Sequence, residues 1–302
     1  MRAIVTGGAG FIGSHVVDAL VARGDEVLVL DDLSSGRREN VSSAAELVAG
    51  DIRDESAVRE VFVRHRPQAC LHFAAQADVR VSVARPDLDC EVNVLGTVRL
   101  LEAAREHDAR IVFASTGGAL YGECREPAPE TAPRTPLAPY GASKLAAEEY
   151  LATYNRLHDT AHTSLRLGNV YGPRQDPHGE AGVVAIFLGK LANGEAPHVF
   201  GDGTQERDYV FVADVVAATL AAVGRPAGVF NVGTGKATSV LDLLDTCLRV
   251  SGVQAGPVFD PPRLGELQRS VLNPSLAERE LGFRAQTPLD DGIAAAWESI
   301  RA

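Results

Sequence analysis

The chain has 302 residues and a formal net charge of -11 at pH 7, because 40 aspartate and glutamate residues outnumber 29 lysine and arginine residues. This length is enough for one large domain or two lobes, and the acidic balance lacks the electrostatic signature of proteins that bind nucleic acids or anionic membranes. No apolar run is long enough to span a membrane, and a strand-like segment follows the first residue at once, so we expect neither a membrane partner nor a signal sequence.

Strand-like and helix-like segments alternate through the first half of the chain. Runs rich in β-branched residues predict strands over 2–6, 26–31, 46–49, 68–72 and 110–114, and segments of helical period predict helices over 11–22, 54–65 and 87–106. Most connections are too long for a hairpin and long enough for a helix, which is typical of parallel strands joined by crossover helices. We therefore predict an α/β fold, with a doubly wound, Rossmann-like parallel sheet formed by residues 1–167.

Beyond residue 167 the pattern loosens, with more glycine and proline and shorter apolar runs. Strands are predicted over 197–200, 209–212 and 229–232, and helices over 182–192, 214–223, 240–250 and 289–300. We interpret residues 168–302 as a smaller C-terminal substrate-binding lobe, some segments of which are free to return to the first domain. A ligand between the two lobes is the natural expectation.

The four cysteines are Cys70, Cys90, Cys124 and Cys247. Their spacing matches neither a zinc site nor a redox motif, and scattered thiols in a chain of this size are typical of a reducing compartment. We therefore predict packing roles for all four, a cytoplasmic location and no metal site.

A glycine-rich turn joins the first strand to the first helix. Gly7, Gly10 and Gly13 stand at intervals of three residues within the sequence TGGAGFIG. Such a turn lets backbone amides approach a pyrophosphate, and the positive end of the helix dipole adds to the attraction. The turn predicts a bound dinucleotide.

Acidic residues follow the second and third strands. Asp31 and Asp32 end the second strand, where dinucleotide-binding folds place a carboxylate on the ribose hydroxyls. Two carboxylates would repel a 2′-phosphate, so NAD is favoured over NADP, although the nearby Arg37 and Arg38 leave the opposite choice open. Asp51 after the third strand is placed either to meet the adenine or to cap a helix.

Tyr140 and Lys144 lie four residues apart at the start of a predicted helix, one turn apart on the same face. A free phenol titrates near pH 10, roughly three units too high for a base at neutral pH, but an ammonium and a positive nicotinamide would both favour the phenolate. Ser115 and Thr116 follow the fifth strand, at the carboxyl end of the sheet where doubly wound folds bind ligands. The four residues together predict a catalytic group.

These motifs resemble the extended short-chain dehydrogenase/reductase superfamily. Further matches are FAAQ over 73–76, Asn93 in the following helix and GNVYGPRQ over 168–175. FGDG over 200–203, RDYV over 207–210, and Arg263 with Glu266 resemble the nucleotide-sugar epimerase branch, and within it the UDP-glucose 4-epimerases. The resemblance spans nearly the whole chain.

The resemblance implies reversible hydride transfer with tightly held NAD, which interconverts UDP-glucose and UDP-galactose through a 4-keto intermediate. Tyr140 would take the proton from the sugar C4 hydroxyl, and Thr116 would hydrogen-bond the same oxygen. Lys144 would hold the nicotinamide ribose and lower the pKa of Tyr140. Because this chain has Gly117 where relatives are more often rich in serine, either Ser115 or Thr116 is open as the active hydroxyl, and Thr116 is our choice.

The resemblance also implies two sets of binding residues. The cofactor-binding positions are Gly7, Gly10, Phe11, Ile12, Gly13, Asp31, Asp32, Leu33, Ser35, Gly36, Asp51, Ile52, Phe73, Ala74, Ala75, Gln76, Asn93, Ser115, Tyr140, Lys144, Leu167 and Val170. The substrate-binding positions are Thr116, Tyr140, Asn169, Gly182, Val183, His198, Val199, Phe200, Arg207, Arg263 and Glu266. In the second set the two arginines would face the diphosphate, Glu266 would meet the uridine ribose, and Gly182, Val183 and the segment 198–200 would line the uracil pocket.

Several alternatives stay open. Sugar dehydratases of this fold have an acidic pair where this chain has Gly117 and Gly118, so elimination is disfavoured. Ser270 is small at a position that is bulky in relatives restricted to glucose and galactose, which predicts activity on UDP-N-acetylhexosamines as well. UDP-glucuronate 4-epimerase and a non-catalytic NAD-binding sensor are the other candidates.

The resemblance also implies an oligomeric state. Relatives are usually homodimers, and segments 87–106 and 140–153 are the candidate dimer helices.

Overall fold

A seven-stranded parallel sheet forms the centre of the molecule, in a computed structural model that describes residues 1–177, 182–263 and 266–301. The strands found over these residues are β1 (Arg2–Thr6), β2 (Glu26–Asp31), β3 (Glu46–Ala49), β4 (Ala69–His72), β5 (Arg110–Thr116), β6 (Thr163–Leu167), β7 (Asn169–Tyr171), β8 (His198–Phe200), β9 (Glu206–Arg207), β10 (Tyr209–Phe211), β11 (Gly228–Val232), β12 (Thr238–Ser239), β13 (Val258–Asp260) and β14 (Arg269–Ser270). The central sheet has the order β3-β2-β1-β4-β5-β6-β11. All its pairings are parallel, which confirms the predicted doubly wound sheet.

Helices connect these strands. They are α1 (Phe11–Ala22), α2 (Glu55–His65), α3 (Val79–Ala84), α4 (Pro86–Cys90), α5 (Gly96–Glu106), α6 (Pro139–His158), α7 (Val183–Ala192), α8 (Val212–Val223), α9 (Val240–Ser251), α10 (Ser275–Leu281) and α11 (Leu289–Arg301). A short 3₁₀ turn spans Arg38–Asn40. The predicted helices that correspond to α1, α2, α7, α8, α9 and α11 agree to within two residues at each end, which is the usual uncertainty of helix boundaries.

Both faces of the central sheet are buried because successive strand residues point in opposite directions. Val5 of β1 and Val112 of β5 belong to one hydrophobic cluster, which α1 and α8 cover. Ile4 and Ile111, each one residue earlier, belong to a second cluster that α2, α5 and α6 cover. The continuous β-branched runs of the sequence follow from this two-sided burial.

The single helix predicted over 87–106 is wrong in detail. The chain instead forms α4, a π-helical turn over Glu91–Leu95 and then α5. Asn93 lies in the widened turn, and its side chain makes hydrogen bonds to residues in a loop and in α6. Such turns occur frequently beside functional sites.

The C-terminal half contributes to both parts of the molecule. β11 pairs with β6 in the central sheet, and α8 and α10 pack against the same side of it. Helices α7, α9 and α11 surround a separate core that contains Phe187, Leu243 and Trp297. This second core faces the carboxyl end of the central sheet through β7 and β10, which pair with each other.

A buried ion pair fastens α6 to the sheet. Arg166 of β6 and Glu148 of α6 are each at most 3% exposed, and the Arg166 guanidinium lies 2.6 Å from the Glu148 carboxylate. The Tyr121 hydroxyl accepts a further hydrogen bond from Arg166 at 2.7 Å. Because unpaired buried charges are costly, this contact fixes α6 in position.

The four cysteines are unpaired. Cys70 and Cys247 are buried in hydrophobic cores, as predicted, and Cys124 is half-buried. Cys90 is exposed at the end of α4, so the packing role predicted for it is wrong.

Across the described parts of the chain, no helix has the length and apolar character that a bilayer crossing requires. The same residues contain no group of three or more histidine, cysteine or acidic side chains arranged to hold a metal ion.

Candidate active site

The glycine-rich turn lies between β1 and α1, at the carboxyl edge of the central sheet. Gly7 has a φ of 69°, and a Cβ atom there would lie 2.5 Å from the backbone nitrogen of Ala74. A Cβ atom at Gly13 would lie 2.1 Å from the Gly7 carbonyl oxygen. Helix α1 begins at Phe11 without a side-chain cap, so its first amides are not satisfied by a side chain. This turn fits the pyrophosphate of a dinucleotide, because without side chains its backbone amides can come within hydrogen-bond distance of the phosphate oxygens.

The two carboxylates at the end of β2 have different surroundings. Asp31 is buried, and its carboxylate accepts hydrogen bonds from the backbone amides of Ala9 and Leu33, both at 2.9 Å. Asp32 is exposed and accepts hydrogen bonds from the amide and hydroxyl of Ser34. Asp31 therefore lies beside the glycine turn, where the ribose of a dinucleotide would meet it, and Asp32 lies at the surface of the loop.

Other predicted cofactor positions follow the carboxyl ends of neighbouring strands, which the parallel sheet brings to one edge. Asp51 after β3 forms an ion pair with Arg53 at 2.6 Å, and this partner holds the pKa of the Asp51 carboxyl below its usual value. The Ile52 side chain belongs to the hydrophobic core, so only its backbone faces the edge. Leu167 is also buried, and its carbonyl accepts a hydrogen bond from the Gly117 amide at 2.8 Å.

The loop over 73–76 is clamped to the helices beside it. The Gln76 amide donates to the side-chain oxygen of Asn93 at 3.0 Å, and the Asn93 amide nitrogen donates back to the Gln76 carbonyl at 2.9 Å. The same nitrogen donates to the Asp89 carboxylate at 3.0 Å and to the Ser143 hydroxyl at 3.1 Å. Asn93 therefore joins the loop to α4 and α6, and its contact with a cofactor stays a prediction.

The predicted catalytic side chains lie together at the carboxyl end of β5. Lys144 is 3% exposed, and its ammonium donates to the Ala114 carbonyl at 2.9 Å and lies 4.6 Å from the centre of the Phe113 ring. Tyr140 lies one helical turn before Lys144 and lines a cavity, and the side chain of Thr116, the last residue of β5, is close enough to lower its pKa. Helix α6 thus presents both residues to one end of the sheet.

Burial dominates the protonation of this pair. It raises the pKa of Tyr140 to about 12, with a further rise from the Asp89 carboxylate and a partial decrease from the Thr116 hydrogen bond. It lowers the pKa of Lys144 to about 8, while Asp89 and Glu148 oppose that decrease. The expectation of a lowered tyrosine pKa is therefore not met by the protein groups alone. A further positive charge, such as the nicotinamide of a bound cofactor, is needed to favour the phenolate.

Ser115 and Thr116 point to opposite faces of the sheet, as successive strand residues do. Ser115 is 4% exposed, and its hydroxyl oxygen has no hydrogen-bond partner among the described residues. The Thr116 hydroxyl lies on the Tyr140 side and accepts a hydrogen bond from the Ala119 amide at 3.2 Å. The geometry favours Thr116 as the hydroxyl that acts with Tyr140.

Two adjoining cavities extend from Tyr140 into the C-terminal lobe. The first has a volume of about 310 Å³ and is lined by Tyr140, Asn169, Val170, Tyr171, Gln175, Gly182, Val183, Val184 and Tyr209. The second has a volume of about 430 Å³ and is lined by Asn169, Val183, Ile186, Phe187, Lys190, His198, Phe200, Gln205, Arg207, Tyr209, Val240, Arg263 and Glu266. Because Asn169, Val183 and Tyr209 border both cavities, they form one cleft.

This cleft includes the predicted substrate-binding residues other than Thr116 and Val199. Val199 lies between His198 and Phe200 on β8, so its side chain points away from them and is fully buried in the C-terminal core. A contact of Val199 with the uracil would therefore come from its backbone, and it stays a prediction. His198 itself is held by the Asp260 carboxylate, 2.7 Å from its ring nitrogen Nδ1.

Two guanidinium groups give the far end of the cleft a positive charge. Arg207 is largely buried, and its Nη2 atom lies 3.5 Å from the Glu266 carboxylate. Arg263 is exposed, and its guanidinium carbon lies 3.9 Å from the centre of the Phe200 ring. Guanidinium groups recognise phosphate oxygens through paired hydrogen bonds, so this end suits a diphosphate.

Sequence reasoning missed some lining residues. Gln175 lines the first cavity and donates to the Val170 carbonyl at 3.1 Å, and its motif over 168–175 carries no predicted role for it. Lys190 lines the second cavity and forms an ion pair with Glu195 at 2.9 Å. Lysine is scarce in this chain, with only Lys144, Lys190 and Lys236 among the 29 positively charged residues, and this is a signal that could have drawn attention to Lys190.

Comparison with known proteins agrees with this geometry. Residues 3–233 match the NAD dependent epimerase/dehydratase family. The chain belongs to this family. Membership confirms the superfamily resemblance and NAD as the predicted cofactor. The UDP-glucose 4-epimerase of Mycolicibacterium smegmatis is 48% identical over an alignment of 311 positions, which covers 100% of this chain and 99% of that protein.

Solved structures of the family are also similar over the whole chain. The UDP-glucose 4-epimerase of Thermotoga maritima, crystallised with UDP-glucose, has a TM-score of 0.98 and 44% identity, with 100% of this chain and 99% of that chain covered. The UDP-glucose 4-epimerase of Thermus thermophilus, in complex with NAD, has a TM-score of 0.95 and 46% identity, with the same coverage. These neighbours confirm the Rossmann-like architecture.

Proposed function

We propose that this member of the family is a UDP-glucose 4-epimerase, which interconverts UDP-glucose and UDP-galactose with NAD as its cofactor. The observation that carries the proposal is the cleft that runs from Tyr140, beside Thr116 and Lys144, to Arg207 and Arg263. It joins a proton-transfer group at one end to diphosphate-binding groups at the other. The relatives named above, at 44–48% identity over the full chain, are UDP-glucose 4-epimerases.

The chain's own residues would hold the sugar and move its proton. Bound NAD would supply the hydride chemistry, held at the glycine turn and Asp31. Tyr140 would remove the proton of the C4 hydroxyl as hydride leaves C4, and the Thr116 hydroxyl would hydrogen-bond the same oxygen. Lys144 would keep a positive charge beside the phenolate. Once the 4-keto sugar has turned over in the cleft, Tyr140 would return the proton to the C4 oxygen, which restores the hydroxyl with the opposite configuration.

The residues after Thr116 favour epimerisation over elimination. Gly117 and Gly118 have no acidic group that could remove a ring proton or protonate a leaving hydroxyl. Ser270 is buried against this segment, and its hydroxyl donates to the Gly118 carbonyl at 3.4 Å. Relatives restricted to glucose and galactose have a bulky residue at this position, so the small serine supports a second substrate class, the UDP-N-acetylhexosamines.

The function is tested by offering the purified protein four compounds separately: UDP-glucose, UDP-galactose, UDP-N-acetylglucosamine and UDP-glucuronate. Proton NMR of the sugar products should show the C4 epimer of UDP-glucose and UDP-galactose, with weaker conversion of UDP-N-acetylglucosamine. If UDP-glucuronate were the sole compound converted, the proposal would be wrong and the protein would be a UDP-glucuronate 4-epimerase. Absence of turnover with all four would favour a non-catalytic NAD-binding protein.

We expect the turnover rate to fall as the pH rises through about 8, because the buried Lys144 loses its proton there. Burial lowers the pKa of this ammonium from its usual value, so the charged form exists below that pH and is lost above it. The Lys144→Arg variant, which cannot lose its charge in this range, should be slower but should not show this alkaline decrease. An unchanged decrease in the arginine variant would assign the titration to another group.

Substitution of Arg263 is expected to weaken substrate binding more than catalysis. The Arg263→Leu variant should raise KM for UDP-galactose by about ten- to a hundredfold, the scale of one charge-assisted hydrogen bond to phosphate, with little change in kcat. Arg284→Leu, which removes an exposed arginine paired with Glu278, is the matched control. A fall in kcat at constant KM would place Arg263 elsewhere in the mechanism.

We also propose a homodimer that pairs the helices around α5 and α6. Leu95 beside α5 and Tyr150 and Leu157 on α6 are exposed apolar side chains on this part of the surface. The double variant Leu95→Asp/Leu157→Asp should convert a dimer to a monomer in light scattering. Val63→Asp, an exposed apolar position on α2, should leave the mass of the parent unchanged. A parent protein that is monomeric would overturn the proposal.

A reducing location such as the cytoplasm is consistent with the cysteines. All four are unpaired, and two of them are buried in hydrophobic cores, where the thiol behaves as a small apolar group. Burial raises the pKa of the Cys70 thiol to about 12, which keeps it protonated and unreactive.

A further inference from the structure

We propose that Asp89 is a positioning residue and the fixed counter-ion of the Tyr140–Lys144 pair, an inference that rests on the proposed epimerase function. Asp89 lies on α4 and is 1% exposed. In the sequence it is indistinguishable from Asp87 and Glu91, the acidic residues on either side of it. Only the fold separates this buried carboxylate from its neighbours.

Hydrogen bonds connect Asp89 to the first turn of α6. Its Oδ1 atom accepts from the side-chain amide of Gln76 at 3.1 Å and from that of Asn93 at 3.0 Å. The Asn93 amide also donates to the Ser143 hydroxyl at 3.1 Å, and that hydroxyl donates to the Tyr140 carbonyl at 3.0 Å. Asp89 therefore helps to fix both the loop after β4 and the helical turn that presents Tyr140.

The groups that donate hydrogen bonds to Asp89 are neutral amides, so they do not neutralise the negative charge of its carboxylate. Of the charged residues around Lys144, Glu148 on the same helix is committed to Arg166 at 2.6 Å. His72 of β4 is neutral, because burial lowers its pKa to about 3. Two carboxylates, Asp89 and Glu148, raise the pKa of Lys144 against the effect of burial, and Asp89 has the larger effect.

Charged groups on the other helices packed against α4 and α6 are paired with other residues or exposed to solvent. Arg80 on α3 is 75% exposed and lies 3.7 Å from Asp78. Glu102 on α5 accepts a hydrogen bond from the Tyr154 hydroxyl and pairs with Arg105 at 2.8 Å. Solvent and these partners screen both groups, so they affect the Tyr140–Lys144 pair less than the buried Asp89 does.

Removal of the Asp89 charge should therefore shift both titrations to lower pH. In the Asp89→Asn variant the Oδ1 acceptor is retained and the shape is unchanged, while the anion that favours the Lys144 ammonium and opposes the Tyr140 phenolate is lost. The alkaline decrease in kcat should move down by about one pH unit, the scale of a single charge acting at an effective dielectric constant of about 20. A residue with only a structural role would not produce this shift.

The experiment measures the pH profile of kcat on UDP-galactose and, without substrate, the ultraviolet-difference titration of Tyr140, with Tyr140→Phe as the blank. Asp89→Asn should move both curves to lower pH. Asp87→Asn, which removes an exposed acid paired with Arg85 at 2.8 Å on the same helix, should move neither. Thermal unfolding checks that the variants are folded.

Curves for Asp89→Asn that coincide with those of the parent would overturn the inference. If Asp89→Asn does not fold, Asp89→Ser serves instead, since its small hydroxyl can keep one acceptor while the charge is absent, and the same shift is expected. The tyrosine titration needs no sugar, so it decides the role of Asp89 even if the substrate proves not to be a UDP-hexose. A shifted titration in a protein without turnover would thus reject the proposed function and keep this inference.

Discussion

Replacement of Tyr140 by phenylalanine is expected to lower the rate of UDP-galactose epimerisation by about a hundred- to ten-thousandfold, the range typical of a lost general acid or base. The substitution removes only the hydroxyl oxygen from a helix whose position is fixed independently by the Arg166–Glu148 ion pair. The fold and the glycine turn should therefore be unaffected, and bound NAD should remain. The measurement is the initial rate, together with the NAD released from the denatured protein per chain.

Tyr150→Phe is the matched control for this experiment, because Tyr150 lies on the same helix but outside the cleft, and the variant keeps the aromatic ring that we place on the dimer face. It should retain the parent rate and the parent NAD content. If Tyr140→Phe kept full activity, the proton would have to move through another group, and Thr116 would be the first to test. If it lost both activity and NAD, the tyrosine would have a role in cofactor binding that the rate alone does not reveal.

Much of the fold followed from local patterns. Runs rich in β-branched residues predicted the strands, and the long connections between them predicted a parallel, doubly wound sheet with the carboxyl ends of β1 to β5 at one edge. The break between α4 and α5 was not predicted, because it depends on the contacts of Asn93 with Gln76 and Ser143, which are 17 and 50 residues away in the chain. The pairing of β11 with β6 likewise depends on a contact that no local periodicity encodes.

In the candidate site, too, some residues were predictable from local sequence patterns and others were not. Tyr140 and Lys144 were found because helical spacing puts them on one face, and the glycines because their spacing is a motif. Asp89 and Gln175 were not found, since burial and cavity position arise only from tertiary packing. The burial that raises the pKa of Tyr140 was also not foreseen, because the sequence shows a lysine four residues away but not the buried surroundings of the hydroxyl.

The other large effect is expected for Gly13→Ala, because the added methyl group would lie 2.1 Å from the Gly7 carbonyl oxygen, which belongs to the backbone and cannot rotate away. The turn must move, and we expect the free energy of unfolding to fall by about 1–3 kcal/mol, as for other overpacked sites. The affinity for NAD should fall by about a hundredfold, equivalent to about 3 kcal/mol of binding free energy, since the displaced amides are those that approach the pyrophosphate.

Isothermal titration of NAD and chemical denaturation would measure these two effects in a graded series. Gly10→Ala should be milder, because its Cβ would lie 3.3 Å from the same oxygen, and Gly224→Ala should match the parent, because no atom lies within 4 Å and its φ of -103° suits any residue. The decisive comparison is the loss of NAD affinity beyond the loss of stability, since a purely structural turn would lower stability alone. Equal NAD affinity in Gly13→Ala and Gly224→Ala would mean that the dinucleotide does not bind at this turn.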